Sequence, residues 1–422
     1  MADRPIAGGR MRTSLLNPER EKNVLTDKQW QRYADVMMWA LAKARKKRFK
    51  KNDIVLLRFD WPARPLAEIL HGRLLERGIH PVMRVMPTPT METDFYGLAN
   101  PRQLSFIPPG EDTLLHRLNG SIFLYAPESI THLSRIDPTR IGRVTVARKP
   151  LRDILDQRDA QGLFGWTLCM VPTPELARHA NLSLETYAAQ VVQACFLNRT
   201  QPLDHWQEIF QQALAIKKWL NSLAVKSLHV VSEKIDLQVT PGAERQWIGL
   251  SGHNIPSFEL FTSPDWHGTR GVYHANQPSY RSGNYVADVT LEFQKGKVTT
   301  ARATQGQSFL RQQLAMDPGA CRVGEFSLTD RRFSKINRFM ANTLYDENFG
   351  GRHGNCHIAL GSSYSDTFRG RPADLTPKMK KSLGFNTSAL HWDLVNTAPK
   401  EVVARLKGGR SVIIYTNGQF CY

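Results

Sequence analysis

DIVLLRFDWPARPLAEILHGRLLERGIHPVMRVM, residues 53–86, carries the clearest pattern of secondary structure in the chain. DIVLLRF (53–59) and HPVMRVM (80–86) are short, mostly apolar runs of strand length. Between them ARPLAEILHGRLLERG (63–78) carries apolar residues at helical spacing and stops at Gly78, a residue suited to the left-handed backbone at a helix end. Strand, helix and strand with short links predict a parallel βαβ unit. SIFLYAP (121–127), GRVTVAR (142–148) and TLCMVP (167–172) are read as further strands of the same sheet. No GxGxxG or Walker loop follows any of these strands, so no local case for a bound nucleotide arises.

Upstream, Thr26 and Gln29 have the spacing of a capping box, and Trp30, Tyr33, Met37 and Leu41 continue at helical spacing. KARKKRFKK (43–51) is read as the solvated C-terminal end of that helix, where cations suit the helix dipole; a phosphate-binding patch is the other reading. DHWQEIFQQALAIKKWLNSL (204–223) is a predicted helix joining two halves. Beyond it lie short strand-like segments, with a hairpin at 288–303 turning on Lys295-Gly296 and a second predicted helix at 331–344. The expected class is α/β. An N-terminal α/β support domain with a mostly parallel sheet (1–210) precedes a C-terminal mixed α+β metal-binding domain (211–422).

Composition narrows the function without naming it. The chain has 422 residues, 41% of them hydrophobic, enough for full-sized cores, and a formal net charge of +18 that is compatible with nucleic acid as a partner. Its five cysteines show no CxxC pair, which argues against a disulfide framework. MADRPIAGGRMRTSLLNPERE at the start has no apolar signal core, and no apolar run approaches twenty residues. A cytoplasmic protein with no membrane partner is expected.

Chemistry concentrates near the C-terminal end. Glu347, His357, His391 and Asp393 fall within DENFGGRHGNCHIALG and NTSALHWDLV, and Glu259 (NIPSFELFTSPD) and Glu325 (GEFSL) stand upstream. Carboxylates and imidazoles suit hard to borderline divalent metals. On a strand, His391 and Asp393 share one face while Trp392 takes the other. Four carboxylates and two histidines exceed what one tetrahedral zinc takes, and they suit two ions with a shared carboxylate. His353 is read as an exposed loop residue and left out of the set, and Cys356 as a small packing residue.

The series NIPSFELFTSPD, GEFSL, NTLYDEN, CHIALGSSY and NTSALHWD, in that order, resembles the signature of the aminopeptidase T / aminopeptidase S family of metallo-aminopeptidases. Weaker similarity in the N-terminal half, including VPTPELA (171–177), extends the match along the chain. The resemblance implies a homodimeric exopeptidase acting on peptides, with two divalent ions (zinc, cobalt, manganese or magnesium). By motif position its ligands would be Glu259, Glu325, Glu347, His357, His391 and Asp393. Tyr364 matches the family's catalytic tyrosine, a donor to the oxyanion. Glu325, and after it Glu259, is the choice for activating water.

One departure stands out. FGGRHGNC lengthens the segment between Glu347 and His357, and the insert is read as able to reshape the substrate pocket. Two other functions stay open on the sequence. His357, His391 and Asp393 alone form the ligand pattern of a mononuclear non-heme iron ring-cleaving dioxygenase. Alternatively, the basic surface holds nucleic acid and the site is idle.

Overall fold

The computed structural model describes residues 24–422, so the arm read above for a signal core lies outside the described residues. The βαβ unit forms as predicted. Strands Ile54–Phe59 and His80–Val85 pair in parallel around the helix Arg64–Glu76, and Gly78 turns the chain at a φ of 70°. Gly120–Tyr125 and Gly165–Met170 extend the sheet on the other side of Ile54–Phe59. The two-residue strand Asn254–Ile255 completes five parallel strands, bringing the segment just before Glu259 to the sheet's edge.

The helix Asp27–Ala44 begins with the expected capping box: Thr26 Oγ1 accepts from Gln29 N at 3.3 Å and Gln29 Oε1 from Thr26 N at 2.8 Å. Its buried Trp30, Tyr33, Met37 and Leu41 join the main core. In the basic run that follows, Arg45 is buried and ion-paired with Asp53, while Lys46, Lys47 and Arg48 are exposed. The helix Pro202–Ser222 sends Trp206 into the core, where it stacks on Phe258 at 5.3 Å, immediately before Glu259. The core is continuous from Leu25 to Phe420.

Two expectations are corrected. GRVTVAR is not a strand but part of the helix Pro138–Ala147. Asp137 accepts from Thr139 N at 2.9 Å and Pro138 occupies the first turn, so helix-start chemistry overrides the β-branched residues. The segment 331–344 is no continuous helix; within it only the start of the single turn Thr343–Asp346 is helical. Side chains take the backbone groups that a helix would use. Gln190 Nε2 donates to Lys335 O at 2.9 Å, Tyr187 Oη to Met340 O at 2.8 Å, and Asp346 accepts from Met340 N and Asn342 N at 2.8 and 2.9 Å.

Among the described residues the second half holds three antiparallel sheets, of eight, four and two strands. The hairpin Val289–Gln294 and Lys297–Arg302 turns on Lys295 and Gly296, at φ of 49° and 77°, as the sequence implied. Among the described residues no helix is long and apolar enough to cross a membrane.

Candidate metal centre

The four-stranded sheet carries the chemistry. Its antiparallel strands lie in the order His391–Asn396, Asn355–Gly361, Val323–Thr329, Glu259–Thr262. Register decides which side chains meet, because residues directly opposite point to the same face. Thr329 pairs with Glu259 and Asn355, Ser327 with Phe261 and His357, and Ala359 with both Glu325 and Asp393. Gly361 pairs with His391. Glu259, Glu325, His357, His391 and Asp393 therefore share one face, and Ala359 opens a gap between Glu325 and Asp393. The alternate residues Leu260, Phe326, Leu328, Ile358, Leu360, Trp392 and Leu394 form the opposite, buried face.

Distances confirm the convergence. His357 Nε2 lies 3.2 Å from Glu259 Oε2, 3.4 Å from Glu325 Oε1 and 3.9 Å from Asp393 Oδ1. His391 Nε2 lies 3.5 Å from both Glu325 Oε2 and Asp393 Oδ1. Ser327 Oγ donates to Glu259 Oε2 at 2.9 Å. His391 Nδ1 is 3.0 Å from the Ser362 carbonyl, which directs Nε2 at the carboxylates. His357 is buried, and neither of its ring nitrogens has a well-directed hydrogen-bond partner. A buried, unpartnered imidazole ringed by carboxylate oxygens fits a divalent cation, whose charge would offset the carboxylates.

The electrostatics show how crowded these groups are. Burial pushes the Glu259 carboxyl up to about 8, with Glu325 and Asp393 adding to it against the pull of His357. Glu347 is raised by burial and then by Glu259, Asp393 and Glu325. Burial opposes charging of the histidines but the carboxylates win, and His357 and His391 each rise to about 9. Burial likewise opposes ionisation of Asp393, yet His391, His357 and Arg281 hold it down at about 2.

Glu347 sits at the end of the Thr343–Asp346 turn, and its backbone carbonyl accepts from Asn355 Nδ2 at 2.9 Å and Thr329 Oγ1 at 3.2 Å. The sheet itself thus holds this residue beside Glu259. The insert that follows is taken up elsewhere. Gly350 and Gly351 donate to Ile336 O, and His353 and Gly354 pack against Gly418 and Tyr415 of the C-terminal hairpin, where a Cβ on Gly354 would stand 2.0 Å from the Tyr415 hydroxyl. His353 is half-buried in that turn, apart from the ligand face.

Tyr364 stands at the mouth, 43% exposed, with its ring 4.8 Å from His391 and 5.5 Å from Phe261. Its backbone N donates to Ser263 Oγ at 2.9 Å. Desolvation, then the field of Glu325, Asp393, Glu347 and Glu259, keeps its phenol protonated. Ser327, Thr329 and Asn355 were missed by the sequence reading. Strand parity offers a signal for each, Ser327 and Thr329 alternating after Glu325 and Asn355 lying two places before His357.

A parallel sheet in the same chain as an antiparallel sheet whose one face gathers carboxylates and imidazoles is a scaffold suited to holding divalent metal. Residues 26–420 match the family model described as thermophilic metalloprotease (M29), and the chain belongs to that family. It is similar to aminopeptidase 2 of Geobacillus stearothermophilus, 28% identical over 69% of this chain and 73% of that protein. It is 27% identical to aminopeptidase AmpS of Bacillus subtilis over 55% of this chain, a match that spans 58% of that relative's length. The solved structure of wild-type AmpT from Thermus thermophilus shares the fold, with a TM-score of 0.78 over 94% of this chain and 100% of that one at 20% identity.

Proposed function

We propose that this chain is a metal-dependent aminopeptidase that removes N-terminal residues from peptides, with two divalent ions held by Glu259, Glu325, Glu347, His357, His391 and Asp393. One observation carries the reading. The two oxygens of Glu325 face different histidines, Oε1 toward His357 at 3.4 Å and Oε2 toward His391 at 3.5 Å. Two compact donor sets, Glu259/Glu325/His357 and Glu325/His391/Asp393, thus share one carboxylate, the arrangement expected of a bridging ligand. The aminopeptidase names of the relatives support the substrate class. The reading includes a cytoplasmic homodimer.

When bound, such ions polarise a carbonyl and acidify water. The chain's own residues do the rest. Glu325, or Glu259 second, accepts the proton of the attacking water. The Tyr364 hydroxyl donates to the oxygen of the scissile carbonyl as it becomes an oxyanion. The carboxylate-rich pocket receives the peptide's ammonium group. The buried Glu259, Glu325 and His357 form its inner end, while the more open His391 and Tyr364 face the entrance.

The test is metal per chain together with hydrolysis of aminoacyl anilides. Two equivalents and turnover that vanishes in Glu325→Gln are expected. A single iron with oxygen uptake would overturn the reading in favour of the dioxygenase. That alternative is not favoured, because Glu259 and Glu325 stand nearer to His357 than Asp393 does.

A further inference from the structure

The strand His391–Asn396 is the outer edge of the ligand sheet, and the outward carbonyls of an edge strand need partners from elsewhere. At His391 the partner is Arg281. Its Nη1 donates to the His391 carbonyl at 2.8 Å, its Nε donates to Gln313 Oε1 at 3.2 Å, and its guanidinium lies 5.7 Å from the Trp392 ring centroid.

Arg281 is itself held from several sides. It ends the short strand Ser279–Arg281, which pairs with Asn284–Val286. Ser279 Oγ accepts from the Trp392 indole at 3.0 Å. Tyr280 Oη is 2.9 Å from His179 Nδ1, whose Nε2 is 3.0 Å from Glu175 Oε1 in the N-terminal half. At the turn, Gly283 has a φ of 79°, and a Cβ there would stand 2.5 Å from Ser134 N. Three consecutive residues of this strand are tied to other elements, so the guanidinium arrives at His391 with little freedom left to lose.

We propose that Arg281 is a positioning residue for the outer half of the centre: by fixing the backbone at His391 it sets the affinity of the His391/Asp393 donor set for a divalent ion, independently of the Glu259/His357 set. The inference rests on the two-ion reading above. A fork that donates to two fixed acceptors has a geometric role that a lysine fills only in part.

The experiment is titration of the chelator-treated full chain with Co2+, followed by calorimetry and by the visible absorption of the bound ion. In Arg281→Met one of two binding steps is expected to weaken by about 10- to 100-fold, with the other step within about twofold. Arg281→Lys, which keeps one donor, is expected to recover part of the loss and covers the case that the Met variant does not fold. Ser279→Ala, which removes one tie of the strand but keeps the Arg281 fork, is expected to weaken the same step by clearly less than Arg281→Met does. Unchanged affinities in Arg281→Met, a gain in affinity, or an equal loss in Ser279→Ala would each overturn the proposal. A wild-type isotherm with one equivalent would sink the two-ion reading alone. The Arg281 assignment would then be decided by whether that single affinity falls in Arg281→Met.

Discussion

The two faces of the four-stranded sheet obey opposite rules. On one face Phe326, Leu328, Ile358, Leu360, Trp392 and Leu394 are buried against the core, each contributing roughly 1.5–3 kcal/mol through removal of apolar surface from water. On the other, Glu259, Glu325 and His357 are buried as well, but as ionisable groups crowded within a few ångströms. Burying such groups opposes folding unless their charges are paired or neutralised. Residues one position apart on a strand thus serve different ends: one face holds the protein together, and the other draws on that stability to keep crowded reactive groups in place.

Glu325 and Phe326, adjacent in sequence and opposite in direction, give the sharpest way to break this contrast. Glu325→Gln is expected to drop anilide hydrolysis to background while leaving the melting temperature of the metal-free chain unchanged or higher. Wild-type turnover, or a clear loss of metal-free stability, would remove the contrast. Phe326→Ala should do the reverse, lowering stability by about 3–5 kcal/mol in denaturant titrations while turnover per folded molecule persists. Next in size is Tyr364→Phe, expected to lower kcat by roughly 10²- to 10³-fold with metal content and KM little altered. A loss of metal instead would make Tyr364 a structural neighbour and not a donor.

A further test is the pH response of the chelator-treated chain. Glu259 rises in the fold from 4.5 to about 8, and His357 and His391 from 6.5 to about 9. Groups with raised folded values hold extra protons when folded, so their contribution is full below the unfolded values and is lost as pH climbs through the folded ones. Asp393, lowered from 3.8 to about 2, contributes above that range and stays constant across it. The metal-free chain should therefore melt progressively lower between about pH 5 and pH 9. A flat profile would show that these groups are not coupled in the fold.

Much of this arrangement was legible locally. The βαβ unit, the capping box at Thr26 and the hairpin turn at Lys295-Gly296 depend on residues close in sequence, and they formed as read. The shared face of His391 and Asp393 follows from strand parity alone. What failed to show was set by distant partners. Gln190 and Tyr187 take up backbone that would otherwise have made a helix of 331–344. Register, which brings Glu259 to Thr329 and His357 to Ser327, is a property of paired strands and has no signature in either one. The grip of Arg281 on His391 joins residues 110 positions apart.

Ala359 shows what a ligand search overlooks. It lies in register between Glu325 and Asp393, buried and bearing only a methyl group. A chain with valine or leucine at 359 would keep all six candidate ligands in order and change CHIALGSSY at a single position that names no ligand. Its branched side chain would stand where those ligands converge. The smallest residue in the row therefore acts as a volume constraint, and substitution there would close the site without altering one of its chemical groups.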